Sequence, residues 1–156
     1  MAARRVVVTG MAGVTALGND WNSIEAAFLA GRSGIRQMPE WDRFADMNTR
    51  LGGPVDDFVT PPHWTRKQTR SMGRASRMVV HAAERALADA GLLDDPIIRD
   101  GRMGVASGSS TGSTDEVKAF GNMLLNGDAG SLNANSYVRM MPHTTAANVG
   151  IFFGLQ

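Results

Sequence analysis

The sequence predicts an α/β protein, and three stretches carry that prediction. Residues 5–9 form a β-branched run closed by Gly10, the pattern of a strand buried near the middle of a sheet. Residues 103–107 give a second strand that runs into the loop Gly108, Ser109, Ser110, Thr111, Gly112. Between them, Thr65, Arg66, Lys67 and Gln68 have the form of a capping box, which opens a long amphipathic helix.

The elements follow in chain order. After the first strand, Gly10, Gly13 and Gly18 punctuate a loop, and Asp20 is placed to N-cap a helix whose inward face is Ile24, Ala27 and Phe28. Gly31 ends that helix. A strand, glycine loop and helix invite a dinucleotide-binding reading, but the G-x-G-x-x-G spacing is absent, so the glycines are read as turns. Residues 33–64 show no sustained periodicity and predict irregular structure with strand pieces near residues 51–55. The capping box predicts one helix from residue 66 to Ala90, with Met72, Ala75, Val79, Ala82, Ala83, Ala86 and Leu87 as its apolar stripe. Arg66, Lys67, Arg70 and Arg74 crowd the start of that helix, where cations oppose the macrodipole, and this favours an anionic partner over a solvated face.

The Gly/Ser loop carries no Lys after its second Gly and fits G-x-S-x-G only loosely, so it reads as a tight turn whose hydroxyls cap the next helix. That helix starts at Asp115 and Glu116, runs through Leu125 and ends at Gly127. Residues 144–153 are small or apolar almost all round, apart from Asn148, with Pro142 in the first turn and Gly154 as a left-handed cap. A helix apolar on every face is expected to be enclosed, and a chain that stops on such an element is expected to stop in mid-fold.

Composition sets the outer bounds. The chain has 156 residues, 43% of them hydrophobic and 20% charged, which is globular and long enough for one domain. A net charge of +1 gives no overall case for nucleic acid or a membrane surface, and no apolar run is long enough to span a bilayer. The apolar part of the N-terminus is too short for a signal peptide, so a cytoplasmic location is expected. Without cysteine, these residues hold no disulfide, thiolate zinc site or cysteine nucleophile. His63, His81 and His143 stand in no metal-ligand spacing, and no metal or cofactor is implied.

Taken together, several segments resemble the N-terminal part of a β-ketoacyl-acyl carrier protein synthase. They are residues 4–10 with Gly18, residues 29–35, residues 66–72, residues 88–92, residues 104–109 and residues 139–155. Their order and spacing cover essentially the whole chain. The resemblance implies a thiolase-like fold of two βαβαβαββ halves layered α/β/α/β/α, with residues 1–156 an incomplete first half, working as a homodimer. It implies an acyltransferase of fatty acid elongation, joining an acyl-enzyme thioester to malonyl-acyl carrier protein by decarboxylative Claisen condensation. The alternative is a non-catalytic relative, such as a chain-length factor, or a polyketide ketosynthase. The family's Cys nucleophile, two His and Lys are expected beyond Gln156, so no catalytic residue is assigned within the chain. Lys67 and Arg70, with Arg66 and Arg74, match the basic region that docks the acidic acyl carrier protein. Ser71 stands where some members carry a further basic residue. Thr111 falls at the family's gate to the acyl pocket, and Met140 and Met141 fall where the acyl tunnel or dimer contact is lined.

Overall fold

The computed structural model describes residues 4–156, which divide into two compact units: Ala12–Val59, and the remainder around Thr60–Gln156. The smaller unit opens with helix α1 (Trp21–Leu29), N-capped as expected by Asp20, whose carboxylate accepts from the Ser23 N–H at 3.0 Å. Ile24 and Ala27 are buried, but Phe28 is exposed, so the inward face is one residue narrower than predicted. A two-residue ladder follows, β1 (Arg36–Gln37) antiparallel to β2 (Leu51–Gly52), inside the region predicted to be irregular. The Arg50 guanidinium gathers the intervening loop by donating to the Met47 and Phe44 carbonyls and pairing with Asp42 at 2.8 Å.

The larger unit is helical: α2 (Arg66–Thr69), α3 (Arg74–Asp89), α4 (Thr114–Asn126), α5 (Ser136–Met140) and α6 (Thr144–Phe153). Its core is Trp64, Met72, Val80, Ile98, Val149 and Phe153, with α3 lying against α6. Inside each helix the backbone hydrogen bonds are internal, so apolar side chains decide which face turns inward.

Four expectations are corrected in this unit. The runs at residues 5–9 and 103–107 are not strands here, and Val6, Val7 and Val8 stand 95%, 69% and 77% exposed. A strand exists only as one rail of a ladder, and no described segment pairs with either run. The long helix predicted from residue 66 to Ala90 is broken into α2 and α3. The capping box is present, with both reciprocal bonds made, but it holds only one turn. Gly73 then adopts extended backbone as N-cap of α3 and seats against Ser113, where an added Cβ would lie 2.6 Å from the Ser113 Cβ. The break shifts the stripe: Val80 is fully buried and Val79 turns outward.

The third correction concerns Ser113, the N-cap of α4, whose hydroxyl caps no N–H and instead donates to Glu116 at 3.0 Å. The fourth concerns α6. Pro142 precedes the helix, with His143 as N-cap, and Ile151 is 77% exposed beside exposed Ala147, so one apolar face is open. The predicted C-terminal glycines hold: Gly127 and Gly154 are left-handed at φ 68°.

Buried Asn148 is satisfied from the α2–α3 link. The Ser71 hydroxyl donates to its side-chain oxygen at 2.8 Å, and its amide donates to the Ser71 carbonyl at 3.4 Å. Ser71 is therefore occupied inside the fold and does not extend the surface row of cations. At the other end of α6, the Arg99 Nε donates to the Phe153 carbonyl at 3.0 Å, satisfying one of the helix's free acceptors.

Candidate functional site

Three backbone segments meet at one surface of the larger unit: the α2–α3 turn, the stretch before α4, and α5. Arg139 joins them. Its Nε and Nη2 donate to the Arg70 carbonyl at 3.2 and 2.6 Å, and its Nη1 pairs with Glu116 at 3.1 Å. Both side chains are largely buried, at 23% and 12% exposure. A planar guanidinium suits this work because its donors leave in fixed directions and can bridge a carbonyl and a carboxylate together. The backbone adds two ties, Gly112 N–H to the Met140 carbonyl at 3.2 Å and Ser113 N–H to the Arg139 carbonyl at 2.8 Å. Gly112 is fitted to this contact, because a Cβ there would collide with the Arg139 and Met140 carbonyls.

Around this hub lies an open groove of about 540 Å³, lined by Arg66, Thr69, Arg70, Arg77, Asn133, Ala134, Asn135 and Arg139. Its lining residues include four arginines and no carboxylate. Of the four predicted docking cations, Arg66 and Arg70 line the groove, whereas Lys67 and Arg74 are exposed outside its lining. The macrodipole argument for them changes. Arg66 and Lys67 belong to a single turn, and Arg70 caps its C-terminal end, where a cation is favourable. Only Arg74, at the first position of α3, opposes a substantial dipole.

The predicted pocket or interface residues fall close together, because the Gly112–Met140 bond sets Thr111 beside α5. Thr111 is exposed, and Met140 and Met141 are half-buried. One hydroxyl of the Gly/Ser loop is locally engaged: Ser109 donates to the Thr111 carbonyl at 2.6 Å. Arg139, Asn133 and Asn135 were not among the residues singled out from sequence. Nothing in the local pattern pairs Arg139 with Arg70, 69 positions away.

A second polar cluster sits further along α3. Glu84 accepts from the Trp64 indole N–H at 3.3 Å and contacts His63 Nε2 at 3.0 Å, while Trp64 meets His81 edge-on and Phe152 at a tilt. Burial, followed by the nearby Arg85 charge, lowers the His81 pKa. The Trp ring closes the core there, and its N–H needs a partner, which Glu84 supplies. Among the described residues, no group of three or more His, Asp or Glu could hold a metal ion, and no helix is long and apolar enough to cross a membrane.

Comparison with known proteins now bears on this surface. The family profile described as beta-ketoacyl synthase, N-terminal domain, matches residues 3–156. The chain is 31% identical over its full length to 3-oxoacyl-[acyl-carrier-protein] synthase 2 of Vibrio harveyi, of which it covers 37%. It superposes on a beta-ketoacyl synthase from Burkholderia phymatum with TM-score 0.89 and 56% identity, covering 98% of this chain and 38% of that one. At 20% identity and TM-score 0.70, the fold also matches a type II ketosynthase solved in complex with its acyl-carrier protein. The chain thus spans about two-fifths of the length of these relatives.

Proposed function

The chain belongs to the beta-ketoacyl synthase family, as its N-terminal domain, and from that premise we propose that it serves a 3-oxoacyl-[acyl-carrier-protein] synthase. In this reading the protein takes an acyl group as a thioester, decarboxylates malonyl-acyl carrier protein, and joins the two by Claisen condensation. The nucleophilic Cys and its His and Lys partners are expected in the part of the relatives that this chain does not cover. No step of the condensation is assigned to a side chain of these 156 residues. We further propose the thiolase-like layering, a cytoplasmic homodimer, and a role for Thr111, Met140 and Met141 beside the acyl pocket or dimer contact.

The contribution proposed for this part is docking of the acidic carrier. The carrying observation is the concentration of Arg66, Lys67, Arg70 and Arg74 on one exposed stretch, held in shape by Arg139 at the Arg70 carbonyl. Cations at the rim of an interface speed and orient encounter, and their effect weakens with salt. Charge reversal at Lys67 and Arg70 together is expected to weaken carrier binding by roughly tenfold or more at low ionic strength, with less effect at high salt. Surface plasmon resonance with the carrier protein reads this directly, and unchanged affinity at low salt retires the docking role.

A further inference from the structure

We propose that the groove formed by Arg66, Arg70, Arg77 and Arg139 is a binding site for a phosphate ester. It shares two guanidiniums with the proposed docking surface but does not depend on that reading. Its volume of about 540 Å³ lies in the range of small-molecule sites. Its walls are polar: beside the guanidiniums stand Thr69, Asn133 and Asn135, with Ala134 the sole apolar lining residue. Four positive charges meet one carboxylate, Glu116, which is bound to Arg139 from outside the lining. The excess positive charge suits a dianion better than a single carboxylate.

The donors are arranged for such a ligand. Arg139 is fixed by bonds from its Nε, Nη1 and Nη2, and the five N–H groups of a guanidinium leave others to offer. Arg77 lines the groove, and its Nε is closed off from solvent without a hydrogen-bond partner among the described residues, so a ligand oxygen reaches it only if the side chain turns toward the groove. A buried donor of this kind is costly until an oxygen meets it. Arginine, unlike lysine, presents a planar fork that matches two phosphate oxygens at once. Lys67, on the same turn as Arg66, lies outside the groove.

The test uses the full-length protein and inorganic phosphate as probe, by calorimetric titration at low ionic strength, with acetate at matched ionic strength as control. Saturable phosphate binding is expected, weakened roughly ten- to a hundredfold by Arg77→Gln, with Arg77→Lys falling between because it keeps the charge and loses the fork. Arg66→Gln, at an exposed position, gives the same direction should Arg77→Gln fold poorly. Lys67→Glu leaves phosphate affinity within about the few-fold change of a screened neighbouring charge while weakening the carrier. The proposal is overturned if phosphate binds no better than acetate, or if well-folded Arg77 and Arg66 variants bind it unchanged. Adding carrier protein to the phosphate-saturated protein separates the sources. Displacement by carrier that bears a phosphate ester but not by carrier without one marks an ester borne by the carrier, and displacement by both alike or by neither marks a free phosphate ester.

Discussion

The α3–α6 pair and the two runs predicted as strands end in opposite environments, although α3 carries five charged side chains and the first run is Val6, Val7 and Val8. Val80 on α3 is fully buried and Val149 on α6 is 5% exposed, whereas Val6, Val7 and Val8 are largely exposed. The difference lies in where backbone hydrogen bonds come from. A helix satisfies its N–H and C=O groups within itself, so two helices need only matching faces to form a core. A strand bonds none of its backbone polar groups within itself and leaves them to be met by neighbours, so its side chains find a face only when a sheet exists. Hydrophobicity thus fixes what should be buried, and backbone pairing decides whether it is.

The largest test of that contrast is amide hydrogen exchange on the 156-residue chain. Amides inside α3 and α6 are expected to open only with the whole unit, whereas those of residues 6–8 and 104–107 exchange at nearly free rates. With a global stability of about 5 kcal/mol, the ratio is on the order of a thousandfold. Slow exchange in the runs would break the comparison and show them paired. Protection that appears only in the full-length protein sharpens it, because added chain then supplies the ladder.

A smaller effect separates the same regions by substitution. Ile98→Ala removes a fully buried side chain from the core and is expected to lower unfolding stability by about 2–5 kcal/mol. Val6→Ala removes a side chain that touches little and is expected to stay within about 0.5 kcal/mol. Urea unfolding followed by circular dichroism compares them. Equal losses would mean that the valine run already packs against something.

The contrast also explains what could be read from sequence. Helix ends were legible because their causes are local: Asp20 meets the Ser23 N–H, Thr65 and Gln68 close a capping box, and Gly154 turns left-handed. The break at Gly73 was not legible, since its cause is the close seat of Ser113, far along the chain. Nor was the groove. Two of its cations stood out in a basic run, but the residue that organises it, Arg139, comes to Arg70 only through the tertiary fold. The family resemblance placed the docking region on the α2 turn and left its partner residues undefined.

The smallest expected effect concerns the flank of α3 beside Trp64, where packing and charge meet. His81 contacts the Trp64 ring, and burial together with Arg85 lowers its pKa below the usual histidine value. The folded state therefore holds His81 neutral at a pH where the unfolded chain already binds a proton. Below the ordinary value of about 6.5 the unfolded state takes up more protons, so stability falls as pH drops toward the folded pKa and levels off beneath it. Above about pH 6.5 both states are neutral and this contribution vanishes. His81→Gln is expected to flatten the stability profile between that point and the folded pKa, with little change near pH 8. An unaltered slope would show that His81 does not carry this acid sensitivity. It would also show that the edge of the helical core tolerates a charge that its centre, at Val80 and Ile98, does not.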